Sequence, residues 1–180
     1  MDNFVYDIGT KIYFGKGQIE NLGAAVKAWG DKALLVYGGG SIKKTGVYDK
    51  AMESLKKAGV STVELAGVEP NPRVTSVREG VKLCRENGVQ VVVPIGGGSS
   101  IDCAKVIAGS VSYEGDPWDL VIGKAKYKSF LPIVSVLTLA ATGSEMDAVA
   151  VISNMDTNDK LGTGHPDMRP KASILDPTYT

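Results

Sequence analysis

The run VVVPIGGGSSIDCAK, from Val91 to Lys105, constrains this chain more than any other stretch. Val91, Val92, Val93 and Ile95 form a β-branched apolar segment suited to a strand covered on both faces. Gly96, Gly97 and Gly98 follow directly. Glycines at a strand exit tolerate positive φ and carry no Cβ, so backbone N–H groups can approach a ligand. Ser99 or Ser100 is suited to cap a helix on which Ile101, Ala104, Ala108 and Val111 recur every three or four residues. Strand, glycine turn and helix start together make an anion site, where free N–H groups and the positive end of the helix dipole face the charge. A diphosphate is the natural occupant.

The rest of the chain repeats this alternation. Asn3 to Phe14 reads as two short strands, an N-terminal β-hairpin. Ile19, Leu22, Val26 and Trp29 recur at helical spacing, and Gly30 ends that helix. Lys32 to Tyr37 is a buried strand with a second glycine exit, Gly38-Gly39-Gly40-Ser41. Tyr48, Met52 and Leu55 mark a helix, and Ser61 to Leu65 a strand. Glu69-Pro70-Asn71-Pro72 is a rigid loop, and Val74, Val77, Val81 and Cys84 line the next helix. Leu131 to Leu137 is a buried strand that runs into a loop from Thr138 to Ser144. Ala148 to Ile152 is a strand, Asn154 to Asp159 a turn, and Ala172 to Leu175 a last strand. Strands alternating with helices define an α/β fold, a Rossmann-like, mostly parallel sheet flanked by helices. In such sheets ligands bind at the carboxyl ends of strands. Both glycine turns, the Asn71 loop and the Thr138–Ser144 loop lie there.

Composition narrows the function. With 20 basic and 20 acidic residues the net charge is zero, which argues against nucleic acid or an acidic membrane surface as partner. No apolar run approaches the ~20 residues that span a bilayer. The opening MDNFVYDIG lacks a basic segment, so no signal peptide is expected. Cys84 and Cys103 fall on apolar helix faces and are expected as buried thiols in the cytoplasm. A single histidine, His165, excludes a histidine cluster around a metal ion.

The site suits a dinucleotide. Asp102, in the first helical turn after the glycines, would either cap N–H groups or bond a ribose. An acidic side chain in the Gly38–Ser41 turn would grip a ribose 2′-hydroxyl and repel a 2′-phosphate. The turn has no carboxylate but is followed by Lys43 and Lys44, which favours NADP(H) over NAD(H). Glu64 ends a strand with no glycines behind it and is read as structural. Thr138, Thr142 and Ser144 place hydroxyls around Gly143, in reach of a nicotinamide or diphosphate. Ser144 is not a hydrolase nucleophile, because Thr142 and Met146 occupy the glycine positions of a G-x-S-x-G elbow.

The segments YGGGSIKKTGVYD (37–49), EPNP (69–72), GGGSSIDCAK (96–105), LTLAATGSEMDAVAVIS (137–153) and ILDPTYT (174–180) together resemble the N-terminal half of the iron-containing (group III) alcohol dehydrogenases, especially their butanol dehydrogenase-like branch. The resemblance implies an NADPH-dependent oxidoreductase that moves a hydride between nicotinamide and a small alcohol or aldehyde, assisted by iron or zinc. It places Gly38, Gly39 and Ser41 by the adenosine ribose and its 2′-phosphate. Asn71, Gly97, Gly98, Ser99 and Asp102 would bind the nucleotide, Thr138 and Thr142 the diphosphate and nicotinamide, with Ser144 and Asp147 nearby and Lys160 on a ribose. It also implies a homo-oligomer. The family's metal ligands lie beyond ILDPTYT in a helical domain, so residues 1–180 are expected to form the dinucleotide-binding domain, without catalytic or metal-binding residues and inactive alone. The alternatives are a stand-alone nucleotide-binding module and a glycerol dehydrogenase-like relative.

Overall fold

A computed structural model describes residues 8–180. Its eight strands are β1 (Lys11–Phe14), β2 (Lys32–Val36), β3 (Ser61–Leu65), β4 (Val91–Gly96), β5 (Val134–Leu137), β6 (Val149–Asn154), β7 (Asp159–Gly164) and β8 (Ala172–Leu175). The helices are α1 (Leu22–Lys27), α2 (Ser41–Lys44), α3 (Val47–Lys57), α4 (Val74–Asn87), α5 (Gly98–Ser110) and α6 (Pro117–Val121). Six strands form one sheet in the order β1-β8-β5-β4-β2-β3, parallel at every pairing.

The continuous apolar strands follow from burial on both faces. Leu34, Val36 and Val92 point to one side, where α4 and α5 bring Val77, Val81, Cys84 and Ile107. Leu35, Val91, Val93 and Val136 point to the other, where α1 and α3 bring Leu22, Val26, Ala51 and Leu55. Each such aliphatic side chain contributes about 1.5–3 kcal/mol when fully buried. A Cβ on Gly23 of α1 would lie 2.1 Å from the Ser54 carbonyl oxygen of α3, so the two helices touch backbone to backbone. The Ser54 hydroxyl accepts from the Gly23 N–H at 2.9 Å and donates to the Glu20 carbonyl, which closes that contact.

The sequence reading needs several corrections. The hairpin's first strand, from Asn3, falls largely outside the described residues. Its second, β1, pairs in parallel with β8, Ile12 opposite Ser173. The helix expected over 19–29 divides into a 3-10 turn, Gln18–Asn21, and α1. Strand β7 was not foreseen. Apart from Leu161 its residues, DKLGTG, are polar or glycine and carry no apolar alternation, yet they pair with β6 as an antiparallel ribbon.

Candidate functional site

Strand β2 leads through α2 and α3 to β3 at the sheet edge, and α4 then returns the chain across β2 to β4. The order therefore reverses between β2 and β4, the switch point at which open α/β sheets bind ligands. A cleft of about 320 Å³ opens there, lined among others by Gly38, Gly40, Ser41, Gly97, Thr138 and Leu139. The turns after β2 and β4 and the loop after β5 thus meet at one place.

At the end of β4 the glycines work through space, not through positive φ. Gly96 is the last residue of the strand, Gly97 is the N-cap with φ −86°, and α5 begins at Gly98. Neither Ser99 nor Ser100 is the cap expected from sequence, because both already lie in the helix. The Ser100 and Ile101 N–H groups donate to the Gly97 carbonyl at 3.1 and 3.3 Å, while the N–H groups before them, at Gly98 and Ser99, have no acceptor within the helix. A Cβ on Gly98 would lie 2.5 Å from Thr142 Oγ1, so glycine lets the loop after β5 close on the helix start. The Thr142 hydroxyl oxygen accepts from the Ser144 N–H at 3.3 Å.

Two carboxylates hold that loop and β6 against α5. Asp102 accepts from the Ser144 hydroxyl at 2.6 Å and from the Val151 N–H at 2.9 Å. Burial raises its pKa, and these two bonds oppose the rise. Its carboxylate is thus engaged by protein partners, not by the N–H groups of its own helix start. Asp147 Oδ1 accepts from Lys105 Nζ at 2.6 Å, and Lys105 also donates to the Val149 carbonyl at 2.9 Å. The Lys105 side chain is fully buried, and burial lowers its pKa despite the Asp147 contact. Lys105 went unassigned in the sequence. The available signal was a lone lysine among Cys103, Ala104, Val106 and Ile107, in a helix with apolar residues on every side. Ser173 on β8 donates to the Glu145 carbonyl at 2.7 Å and fixes the other side of the loop.

The turn after β2 departs from expectation in charge. A carboxylate does stand beside it: Glu64 at the end of β3 pairs with Lys43 at 3.7 Å and accepts from both Tyr37 and Tyr48. The sequence left Glu64 apart because nothing glycine-rich follows it, but parallel pairing sets it opposite Leu35, two residues before Tyr37. Asn71 has φ +56° between its two prolines, and its side-chain oxygen accepts from Lys160 Nζ at 2.6 Å. These two predicted residues, 89 positions apart, are in contact.

No group of three or more His, Cys, Asp or Glu among the described residues could hold a metal ion. His165 stacks on Phe130 with ring centroids 4.8 Å apart, and its Nδ1 accepts from the Asp167 N–H. This donor set does not fit iron or zinc. Among the described residues no helix is long and apolar enough to cross a membrane.

A parallel sheet with a glycine-lined cleft at its switch point and a helix start opening onto it defines a Rossmann-like α/β protein. The sequence profile described as "Iron-containing alcohol dehydrogenase" matches residues 9–177, and the chain belongs to that family. It is 63% identical over 180 residues to NADH-dependent butanol dehydrogenase B of Clostridium acetobutylicum, covering all of this chain and 46% of that protein. It is 42% identical over 183 residues to the NADPH-dependent aldehyde reductase YqhD of Escherichia coli, again covering all of this chain and 46% of that protein. The crystal structure of NADH-dependent butanol dehydrogenase A from Thermotoga maritima superposes with a TM-score of 0.95 at 47% identity, over 99% of this chain and 45% of that one. The chain spans a little under half the length of these relatives.

Proposed function

We propose that this chain is the nucleotide-binding part of an alcohol or aldehyde oxidoreductase and that its switch-point cleft takes a nicotinamide dinucleotide. The observation that carries this reading is the meeting of both glycine turns and the hydroxyl-bearing loop after β5 around one cleft. In this reading the N–H groups at the start of α5 face the diphosphate, beside Gly97, Gly98 and Ser99. Gly38, Gly39 and Ser41 face the adenosine ribose, and Thr138 and Thr142 the diphosphate and nicotinamide. Asp102, Ser144 and Asp147 fix the loop that presents those hydroxyls, and the Asn71–Lys160 contact borders a ribose. The nicotinamide, when bound, exchanges a hydride with the carbon of a small alcohol or aldehyde. This chain's residues bind and orient it.

Both NADH and NADPH are expected to bind, NADPH the more tightly. The turn carries no acidic side chain at Gly39, and Lys43 and Lys44 stand beside it. The Glu64–Lys43 pair limits the preference to about tenfold or less, about 1.4 kcal/mol. Relatives at 50–63% identity bear NADH-dependent names and one at 42% an NADPH-dependent name, so the preference for NADPH rests on the charge of the turn and not on them. Cys84 and Cys103 are free and buried, which supports a reducing, cytoplasmic setting. Phe14, 70% exposed at the end of β1, the outermost strand of the sheet among the described residues, supports a homo-oligomer that covers it.

Calorimetric titration of the 180-residue chain with NADPH and NADH tests the reading. One saturable site is expected for each, and binding of neither overturns it. Aldehyde reduction by this chain with added iron or zinc would overturn the expectation that it does not turn over alone.

A further inference from the structure

Tyr37, Lys43, Tyr48 and Glu64 form a closed cluster at the foot of the Gly38–Ser41 turn. The two phenol hydroxyls donate to the two oxygens of Glu64, one each. The Lys43 ammonium sits 3.7 Å from Glu64 Oε2 and lies over both rings, 5.2 Å from the Tyr37 centroid and 4.6 Å from that of Tyr48. The rings themselves meet edge to face, with centroids 5.9 Å apart. A lysine on a short surface helix would ordinarily be a solvated, freely moving charge. Here two aromatic faces and a carboxylate fix it.

We propose that Glu64 sets the discrimination between NADPH and NADH by holding and neutralising Lys43; this rests on the reading of the cleft as a dinucleotide site. Tyr37 immediately precedes the turn and Lys43 follows Ser41 by two residues, so the cluster is bonded directly to the backbone that would face the adenosine ribose. A 2′-phosphate brings up to two negative charges and three acceptor oxygens to this place. With Glu64 ionised, the Lys43 ammonium already has an anion at 3.7 Å, well inside the screening length of about 8 Å. A phosphate must then share Lys43 with Glu64 and is repelled by it. A 2′-hydroxyl carries no charge and feels neither effect. Glu64 thus acts against NADPH selectively, through Lys43, without reaching the ligand. The hydrogen bonds from Tyr37 and Tyr48 keep the carboxylate in place for this role.

Glu64→Gln keeps an oxygen for one tyrosine hydroxyl, offers an amide N–H that the other hydroxyl can accept, and removes the charge. Titrated calorimetrically on the 180-residue chain, it is expected to bind NADPH about three- to fivefold more tightly than wild type, with NADH affinity changed less than twofold. The gain shrinks as salt rises from 0.02 to about 0.15 M. Lys43→Met is expected to weaken NADPH alone by a similar factor. An unchanged NADPH-to-NADH ratio in Glu64→Gln overturns the proposal. So does an equal weakening of both cofactors, which would mark the cluster as a scaffold for the turn. Should Glu64→Gln fail to fold by circular dichroism, unchanged NADPH binding by Lys43→Met overturns the proposal on its own. Wild-type protein that binds neither cofactor refutes the dinucleotide reading itself, and an NADPH-to-NADH ratio that is the same in wild type and every variant refutes only the role of Glu64.

Discussion

Lys105 and Asp147 meet 2.6 Å apart between α5 and the start of β6, the lysine side chain fully buried and the aspartate 37% exposed. The asymmetry in burial makes the two partners unequal. Asp147→Ala leaves a buried ammonium with only the Val149 carbonyl, and is expected to cost about 2–4 kcal/mol. Lys105→Met removes the buried charge and leaves an aspartate that water can reach, for less than about 2 kcal/mol. Urea denaturation at pH 7 ranks the two variants. If Lys105→Met is the more damaging, burial of Lys105 is not what makes the pair matter.

Asp176 gives the acid dependence. It is almost fully buried, and burial alone would raise its pKa. Hydrogen bonds from the Thr178 hydroxyl (2.7 Å) and N–H (3.0 Å) and from the Gly17 N–H (2.6 Å) outweigh burial and hold it below its ordinary 3.8. A depressed carboxyl stabilises the fold fully above the unfolded value and loses that contribution as pH falls through the folded value. Asp176→Asn is therefore expected to cost about 1–3 kcal/mol at pH 7, and the gap to wild type should narrow below pH 4. A gap that holds constant from pH 7 to pH 3 would show that the charge of Asp176 contributes nothing.

Much of this fold was legible because burial writes itself into sequence. Strands β2, β4 and β5 are apolar on both faces because helices cover both faces, and their glycine or hydroxyl exits mark the ligand edge. What escaped was written in partners far along the chain. Lys105 needs Asp147, 42 residues away, and nothing local to either announces the pair. Glu64 looked idle because β3 has no glycine exit, while its meaning comes from parallel register with β2. Strand β7 has no apolar pattern because backbone bonds to β6 and polar side-chain contacts, Lys160 with Asn71 and Thr163 with Tyr127, hold it. The Gly96–Gly98 turn was expected to bring backbone to a ligand through positive φ and missing Cβ atoms; none of the three has a positive φ, and the space at Gly98 is taken up by Thr142 of the neighbouring loop.

The thiols should be inert in the folded chain. Burial pushes both Cys84 and Cys103 up to about 12, so thiolate is scarce at pH 8. A disulfide-exchange reagent at pH 8 is expected to find no reactive thiol in the native chain and two in 8 M urea. Rapid native reaction of either would show that α4 or α5 opens far more readily than its packing implies.

Gly39→Asp probes the ribose end of the cleft. A Cβ at Gly39 would meet nothing within 4 Å, so the fold should tolerate the change. The new carboxylate would face a 2′-phosphate and is expected to weaken NADPH by about 1–3 kcal/mol while sparing NADH. Equal NADPH affinity in wild type and variant would place the 2′-phosphate elsewhere.

Gly98→Ala probes the diphosphate end, and a second substitution separates two causes of the same loss. The added methyl would sit 2.5 Å from Thr142 Oγ1 and 3.0 Å from its Cγ2. Thr142 is exposed, so its side chain can turn away, and stability should fall by less than about 1 kcal/mol. The loop after β5 would nonetheless lift from the helix start, and dinucleotide affinity is expected to drop about tenfold or more. Removing the Thr142 side chain beyond Cβ leaves a tight but tolerable 3.3 Å contact. Gly98→Ala with Thr142→Ala should therefore recover most of the lost affinity in the same titration, measured against Thr142→Ala alone. Should the double variant stay as weak as Gly98→Ala, the methyl group itself must stand where the diphosphate binds, and Gly98 would be a direct contact instead of a spacer beneath Thr142.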